Sequence, residues 1–385
     1  MSVPSVYLDN AATTALRPEV AQRMFEVLNE TPGNPSSTHA YGRKAKGLIE
    51  QARKTVAKYL NVEAGEIIFT SGGTEADNLV LVSAARDLGL KRIITSRIEH
   101  HAVLHAAQYA AKVFNVELVY VNLKECGTPD EAHLESLLQD NVGKTLVSLM
   151  HINNEIGNKI DIKLFATLCK QYEALFHSDM VQSVGHFDLD FKEIPVDFCA
   201  VSAHKFHGPK GVGFAFIRKN SGLRSVIHGG GQERGLRAGT ESVHNIVGLE
   251  EALKLSYENL ATERPYIEDL KSYFQEQILA LIPDAKLNGN CGKPENSTYT
   301  LLNVCLPLDA AQAMLLQFQL DMKGIACSKG SACQSGSNAG SHVLTEVLSD
   351  EDMNKPSIRF SFSKYNTKEE VDYVVKTLAE FVTTG

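Results

Sequence analysis

Seven short apolar runs, most of them separated by amphipathic stretches, constrain the fold of this chain more tightly than any other feature. They fall at 66–70, 92–96, 117–121, 145–150, 175–179, 198–202 and 213–217, each of strand length. Between them, 75–88, 101–114 and 162–173 carry apolar residues at helical spacing. Such alternation predicts an α/β fold, a mainly parallel sheet with helices on both faces. The last third changes pattern. Two long helical segments (242–260 and 264–281) lead into a Gly/Asn/Pro loop at 288–297, then a strand at 298–306 and a helix at 309–322. A glycine- and serine-rich loop, a helix, a strand at 357–361 and a closing helix from 367 complete the chain. For 385 residues, more than one core is expected. We read a large domain over 15–260 and a smaller α+β domain formed by 1–14 and 261–385.

In an open parallel sheet, ligands bind beyond the carboxyl ends of the strands. The unusual polar residues of this chain stand at those ends. After the first run comes Ser71-Gly72-Gly73-Thr74-Glu75-Ala76-Asp77, where glycines precede a helix opening on a Thr-x-x-Asp capping-box pattern. Glycines permit close backbone approach and free helix N–H groups suit a phosphate, although a plain helix start is the commoner use of such a segment. The spacing matches neither Gly-x-Gly-x-x-Gly nor a Walker loop, which argues against NAD and ATP. Later ends carry His100, Asn154, Asp179 with Gln182, and Ser202-Ala203-His204-Lys205. Gly208, Pro209 and Gly211 then turn the chain tightly. A lysine amine so placed can condense with an aldehyde; taken alone, a loop lysine is more often simply solvated. His204 and His207 lack carboxylate or cysteine partners at ligand spacing, so no metal is expected. Pyridoxal 5'-phosphate accounts for the set, since it needs a lysine, a carboxylate under its ring nitrogen, phosphate donors and a flat group against its ring. Lys205, Asp179, the Gly73-Thr74 helix start with Ser202 and His204, and His100 would supply these in turn.

A formal net charge of −8 argues against a nucleic-acid surface, which needs a basic face. No apolar stretch approaches the length of a membrane span, and the first residues lack a signal-peptide pattern. Seven cysteines with no Cys-x-x-Cys pair disfavour a disulfide scaffold or a zinc site and fit a reducing cytoplasm.

The ordered motifs resemble those of the cysteine desulfurases (NifS/IscS-like), in the class V aminotransferase group on the fold-type-I scaffold of pyridoxal-phosphate enzymes. The resemblance runs nearly end to end. It begins with Tyr7-Leu8-Asp9-Asn10-Ala11-Ala12-Thr13-Thr14 and Gly33-Asn34-Pro35, and passes through the segments above. It continues with Gly229-Gly230-Gly231-Gln232-Glu233-Arg234-Gly235, Arg237-Ala238-Gly239-Thr240 and Gly330-Ser331-Ala332-Cys333, and closes at Ser357-Ile358-Arg359. It implies that Lys205 holds the cofactor covalently, Asp179 pairs with the ring nitrogen and Gln182 with the ring hydroxyl. His100 would stack on the ring, while Gly73, Thr74, Ser202 and His204 hold the phosphate. Thr240 would reach across a homodimer to the partner's phosphate, and Asn154 and Arg359 would take the carboxylate of L-cysteine. Cys333 would accept the sulfur as a persulfide, leaving L-alanine, and pass it to an acceptor protein for iron–sulfur cluster or thio-cofactor synthesis.

The glycine- and serine-rich setting of Cys333 fits an accessible nucleophile, and Cys327 is read as structural. One departure is His207, where the family usually has Tyr. A transaminase has no use for Cys333, whereas a selenocysteine lyase would, so a lyase or another class V enzyme is the alternative reading. A non-catalytic relative would be expected to have lost Lys205, Asp179 or Cys333, and all are present.

Overall fold

The computed structural model describes residues 5–329 and 340–384. A two-residue strand, β1 (Val6–Tyr7), precedes the seven expected ones: β2 (Ile67–Thr70), β3 (Arg92–Thr95), β4 (Glu117–Tyr120), β5 (Thr145–Ser148), β6 (Leu175–Asp179), β7 (Phe198–Ser202) and β8 (Gly213–Ile217). Short β9 (Lys286–Leu287), β10 (Leu301–Cys305), short β11 (Ile325–Ala326) and β12 (Ser357–Ser361) follow.

The main sheet has the order β2-β8-β7-β6-β5-β3-β4. From β7 to β4 all pairings are parallel, and only β8 runs antiparallel to its neighbours β2 and β7. The carboxyl ends of β2, β3, β5, β6 and β7 therefore share one edge. Helices cover both faces, so these strands read as continuous apolar runs rather than alternating ones. Successive residues feed opposite cores: Ile67, Phe69, Val147, Phe176 and Val201 pack on one side, Ile68, Ile93, Leu146, Phe198 and Ala200 on the other.

The second group of strands forms an antiparallel sheet of order β12-β10-β9, with β1 paired in parallel to β11 and Asp9 bridging Ser361. From there the N-terminal segment crosses to the main sheet, where the Thr14 N–H donates to the His204 carbonyl at 2.9 Å. That crossing lays Ala11 and Ala12 against the end of β7. Among the described residues no helix is long and apolar enough to cross a membrane.

Several boundaries differ from expectation. The helix expected from 264 begins at Leu260 and runs through Pro265, after Asn259 closes the preceding helix, Val243–Glu258. The strand expected from 298 begins at Leu301; before it, the Thr298 carbonyl accepts from Lys271 Nζ at 2.6 Å and the Thr298 N–H donates to the Gly157 carbonyl at 2.8 Å instead of to a strand partner. Gly213 opens β8 where a Cβ would lie 2.2 Å from the Val201 carbonyl oxygen and 2.8 Å from Gly72 Cα. Gly213→Ala is thus expected to lower stability by about 1–3 kcal/mol, the usual penalty of overpacking, read as a lower urea midpoint.

Candidate active site

A cavity of about 190 Å³ opens at the shared carboxyl edge of the main sheet. Gly73, Thr74, His100, Asn154, Asp179, Gln182, Ser202, His204, Lys205 and Arg359 all line it. They come from the ends of β2, β5, β6 and β7, from a helix start, and from β12 across the cleft. An adjoining hollow shares Ala12, Gly73, Thr74, Ser202 and His204 and extends past Lys210 and Gly211.

Lys205 follows β7 in a single helical turn, Ala203–Lys205. Its Nζ donates to the carbonyls of Ala11 at 2.6 Å and Ala12 at 2.9 Å. Gln182 Nε2 donates to the same Ala11 carbonyl at 3.0 Å, so the crossing N-terminal segment aligns both side chains.

The capping-box expectation at Thr74-x-x-Asp77 is overturned. The helix Gly73–Asp87 is preceded by Gly72 at φ 153°, and no side chain caps it. Asp77 is buried one turn in, away from the helix end. A left-handed or strained φ of this kind is open to glycine, and a Cβ on Gly73 would meet Val181 Cγ2 at 2.6 Å. First-turn N–H groups that no side chain caps face the hollow beside Ser202, an arrangement that suits an anion.

Asp179 ends β6. Its Oδ1 accepts the Val181 N–H at 2.9 Å, and burial raises its pKa. His100 caps the helix His101–Phe114, its Nδ1 accepting the Ala102 N–H at 3.1 Å. In the neutral ring the proton therefore sits on Nε2. Burial, then the charge of Lys205, pushes His100 down to about 4.

Arg359 is 1% exposed. Nη1 donates to the Asn154 carbonyl at 2.8 Å, Nη2 to Asp9 Oδ1 at 2.8 Å, and Nε has no hydrogen-bond partner among the described residues. The guanidinium is held by two protein oxygens while N–H donors remain for a carboxylate. Sequence reasoning missed Asp9, which no local signal connects to a residue so far along the chain. It also missed the two alanine carbonyls that hold Lys205.

Thr240 is exposed and does not line the cavity. Cys333 lies outside the described residues. The six described cysteines are free; Cys327 is buried, its thiol pushed up to about 12 by burial. Among the described residues no group of three or more His, Cys, Asp or Glu is arranged to hold a metal ion.

The donors suit pyridoxal phosphate. The uncapped helix start with the hydroxyls of Thr74 and Ser202 matches a phosphate, Asp179 a ring nitrogen, neutral His100 a ring face, and Lys205 an aldehyde. Burial also holds His204 and His207 down to about 4. These folded-state values lie below the usual 6.5, so the stability from their neutral forms is present above pH 6.5 and lost as pH falls toward 4. In urea titrations of the chain without added cofactor, each histidine should therefore remove up to about 1.4 kcal/mol of unfolding free energy per pH unit between those values, read as a steeper fall in the parent than in His204→Gln.

Residues 6–374 match the family model described as aminotransferase class V. Similar relatives include the cysteine desulfurase IscS of Clostridium botulinum (strain Kyoto / Type A2), 40% identical over 98% of this chain and 94% of that one. A solved structure described as a NifS-like protein superposes with a TM-score of 0.89 at 36% identity, covering 99% of this chain and 100% of that one. A structure of SspA in complex with cysteine superposes with a TM-score of 0.79 at 30% identity, covering 94% of this chain and 100% of that one.

Proposed function

The chain belongs to the class V aminotransferase family and is a cysteine desulfurase within it, and from that premise we propose that the cavity at the strand ends binds pyridoxal phosphate and L-cysteine. One observation carries this reading: Lys205, Asp179, His100, an uncapped helix start and Arg359 converge on a single space. The family is pyridoxal-phosphate dependent, and SspA, a structural relative, has been solved with cysteine.

When bound, the cofactor supplies an electron sink for negative charge developing at the substrate Cα. Lys205 would hold it, with Asp179 at its ring nitrogen, Gln182 at its hydroxyl and His100 against its face. Gly73, Thr74, Ser202 and His204 would take its phosphate, and Thr240 of a second copy would complete that site in a homodimer. Arg359 and Asn154 would orient the substrate carboxylate. Lys205 Nζ, aligned by the Ala11 and Ala12 carbonyls, would then remove the Cα proton. His100 would move a proton at Nε2. Cys333 thiolate would attack the substrate sulfur, breaking its bond to Cβ and retaining it as a persulfide, while the three-carbon fragment takes one proton at Cβ and one back at Cα and leaves as L-alanine. An acceptor protein would receive the sulfur.

We assign these roles to a large domain at 15–260 and a smaller one at 1–14 and 261–385, with Arg359 contributed across the cleft. An odd number of cysteines with no Cys-x-x-Cys pair supports a reducing, cytoplasmic setting.

The test is turnover of L-cysteine and of selenocysteine in parallel by the full chain supplied with pyridoxal phosphate. Stoichiometric L-alanine and sulfide from cysteine are expected. Alanine from selenocysteine alone would move the assignment to a selenocysteine lyase, and a chain that stays colourless with the cofactor would remove the reading.

A further inference from the structure

Asp77 and His177 have no part in the reaction as described, yet they lie directly behind it. Asp77 is 1% exposed and His177 0%. His177 stands on β6 two residues before Asp179, so the strand repeat puts both side chains on one face. His177 Nδ1 lies 2.8 Å from Ser148 Oγ on β5, and its Nε2 faces Asp77 Oδ1 at 3.5 Å. Neither of those facing atoms has a hydrogen-bond partner among the described residues. Asp77 also lines the cavity that Asp179 lines.

Two carboxyl groups in one buried space resist ionising together. Asp179 has the advantage, because the Val181 N–H and the charge of Lys205 both favour its anion. Asp77 has neither aid. Burial, then the nearby Asp179 and Glu99, hold it well above the usual carboxylate range. Glu99, which accepts the Ser96 hydroxyl, is itself raised to about 8 by burial. His177, pushed down to about 3 by burial, is neutral and offers no counter-charge.

We propose that Asp77 is a positioning residue that keeps its proton and donates it to His177 Nε2, while His177 donates from Nδ1 to Ser148, so that Asp179 remains the single anion of the pair. This rests on the reading of Asp179 as the partner of the cofactor's ring nitrogen. A second anion beside the first would also hold Lys205 as an ammonium ion, which cannot take a proton from Cα. The chain through His177 keeps the extra carboxyl in the site without its charge.

The measurement compares Asp77→Asn with Asp179→Asn in the full chain. The first exchanges a neutral acid for a neutral amide and should bind pyridoxal phosphate within about threefold of the parent, the scale of one exchanged hydrogen bond. The second removes a buried counter-charge and should weaken binding by about 100-fold or more. Infrared spectra at neutral pH, with and without cofactor, should carry a protonated-carboxyl band that Asp77→Asn deletes. Loss of cofactor affinity in Asp77→Asn equal to that in Asp179→Asn, or survival of every such band, would overturn the proposal. If both variants bound cofactor as the parent does, the role of Asp179 would fall, while the infrared result would still judge the protonation of Asp77. Should Asp77→Asn fail to fold, nitrogen NMR of His177 in the parent decides. A proton on Nδ1 is expected, and one on Nε2 overturns the assignment.

Discussion

Cys333→Ala is expected to bind pyridoxal phosphate with the parent's affinity and colour, and to lose sulfide release from L-cysteine by about 10³-fold or more, the scale seen when a covalent nucleophile is removed. The other cysteines leave no substitute. None of the six described cysteines lines the cavity. Burial raises the thiols of Cys169, Cys199, Cys291 and Cys305, and takes Cys327 to about 12, so at neutral pH they hold almost no thiolate. Cys126 differs. Burial would raise it, but hydrogen bonds from the Thr128 side chain and backbone and from Asn290 outweigh that and lower it. It is half-buried beside Thr128 and away from the cavity, so Cys126→Ala should turn over as the parent does. Both variants assayed for alanine and sulfide, with mass spectrometry for a persulfide on the parent, give the answer. Undiminished sulfide from Cys333→Ala would end the persulfide mechanism.

The inner strands of the main sheet were legible because they are buried on both faces, so runs such as 198–202 and 213–217 stand out as apolar blocks. The reversal of β8 had a signal too. The connection 203–212 contains only one helical turn, too little for the crossover that a parallel partner of β7 requires. The two-residue strands β1, β9 and β11 carry no period to read. In the site, the residues at strand ends were readable from position alone, since a parallel sheet brings its carboxyl ends together. Asp77 was misread as a helix cap because its partner, His177, lies a hundred positions away on another element. Asp9 was invisible for the same reason, paired with Arg359 only after the N-terminal segment crosses onto β12. Pairings that depend on tertiary contact leave no trace in local spacing.

Lys205→Ala tests the site at its centre. The variant should fold, since the side chain lies at the cavity wall and its loss leaves two carbonyls, on Ala11 and Ala12, facing open space that water can fill. Gln182 still donates to the Ala11 carbonyl, which keeps the N-terminal segment in position. Alanine and sulfide formation should fall by at least the 10²- to 10⁴-fold, roughly, that a positioned proton-transfer group contributes. Borohydride treatment with pyridoxal phosphate should add the cofactor's mass to the peptide containing Lys205 in the parent and to no peptide in the variant. Lys205→Arg separates charge from chemistry. It keeps a cation between the two carbonyls and beside Asp179, but a guanidinium neither condenses with an aldehyde nor gives up its proton near neutral pH. An arginine variant as inactive as the alanine one would assign the effect to the amine itself. Partial activity would leave only electrostatic support to the residue at 205, and the covalent attachment on which the proposed mechanism depends would have to be abandoned.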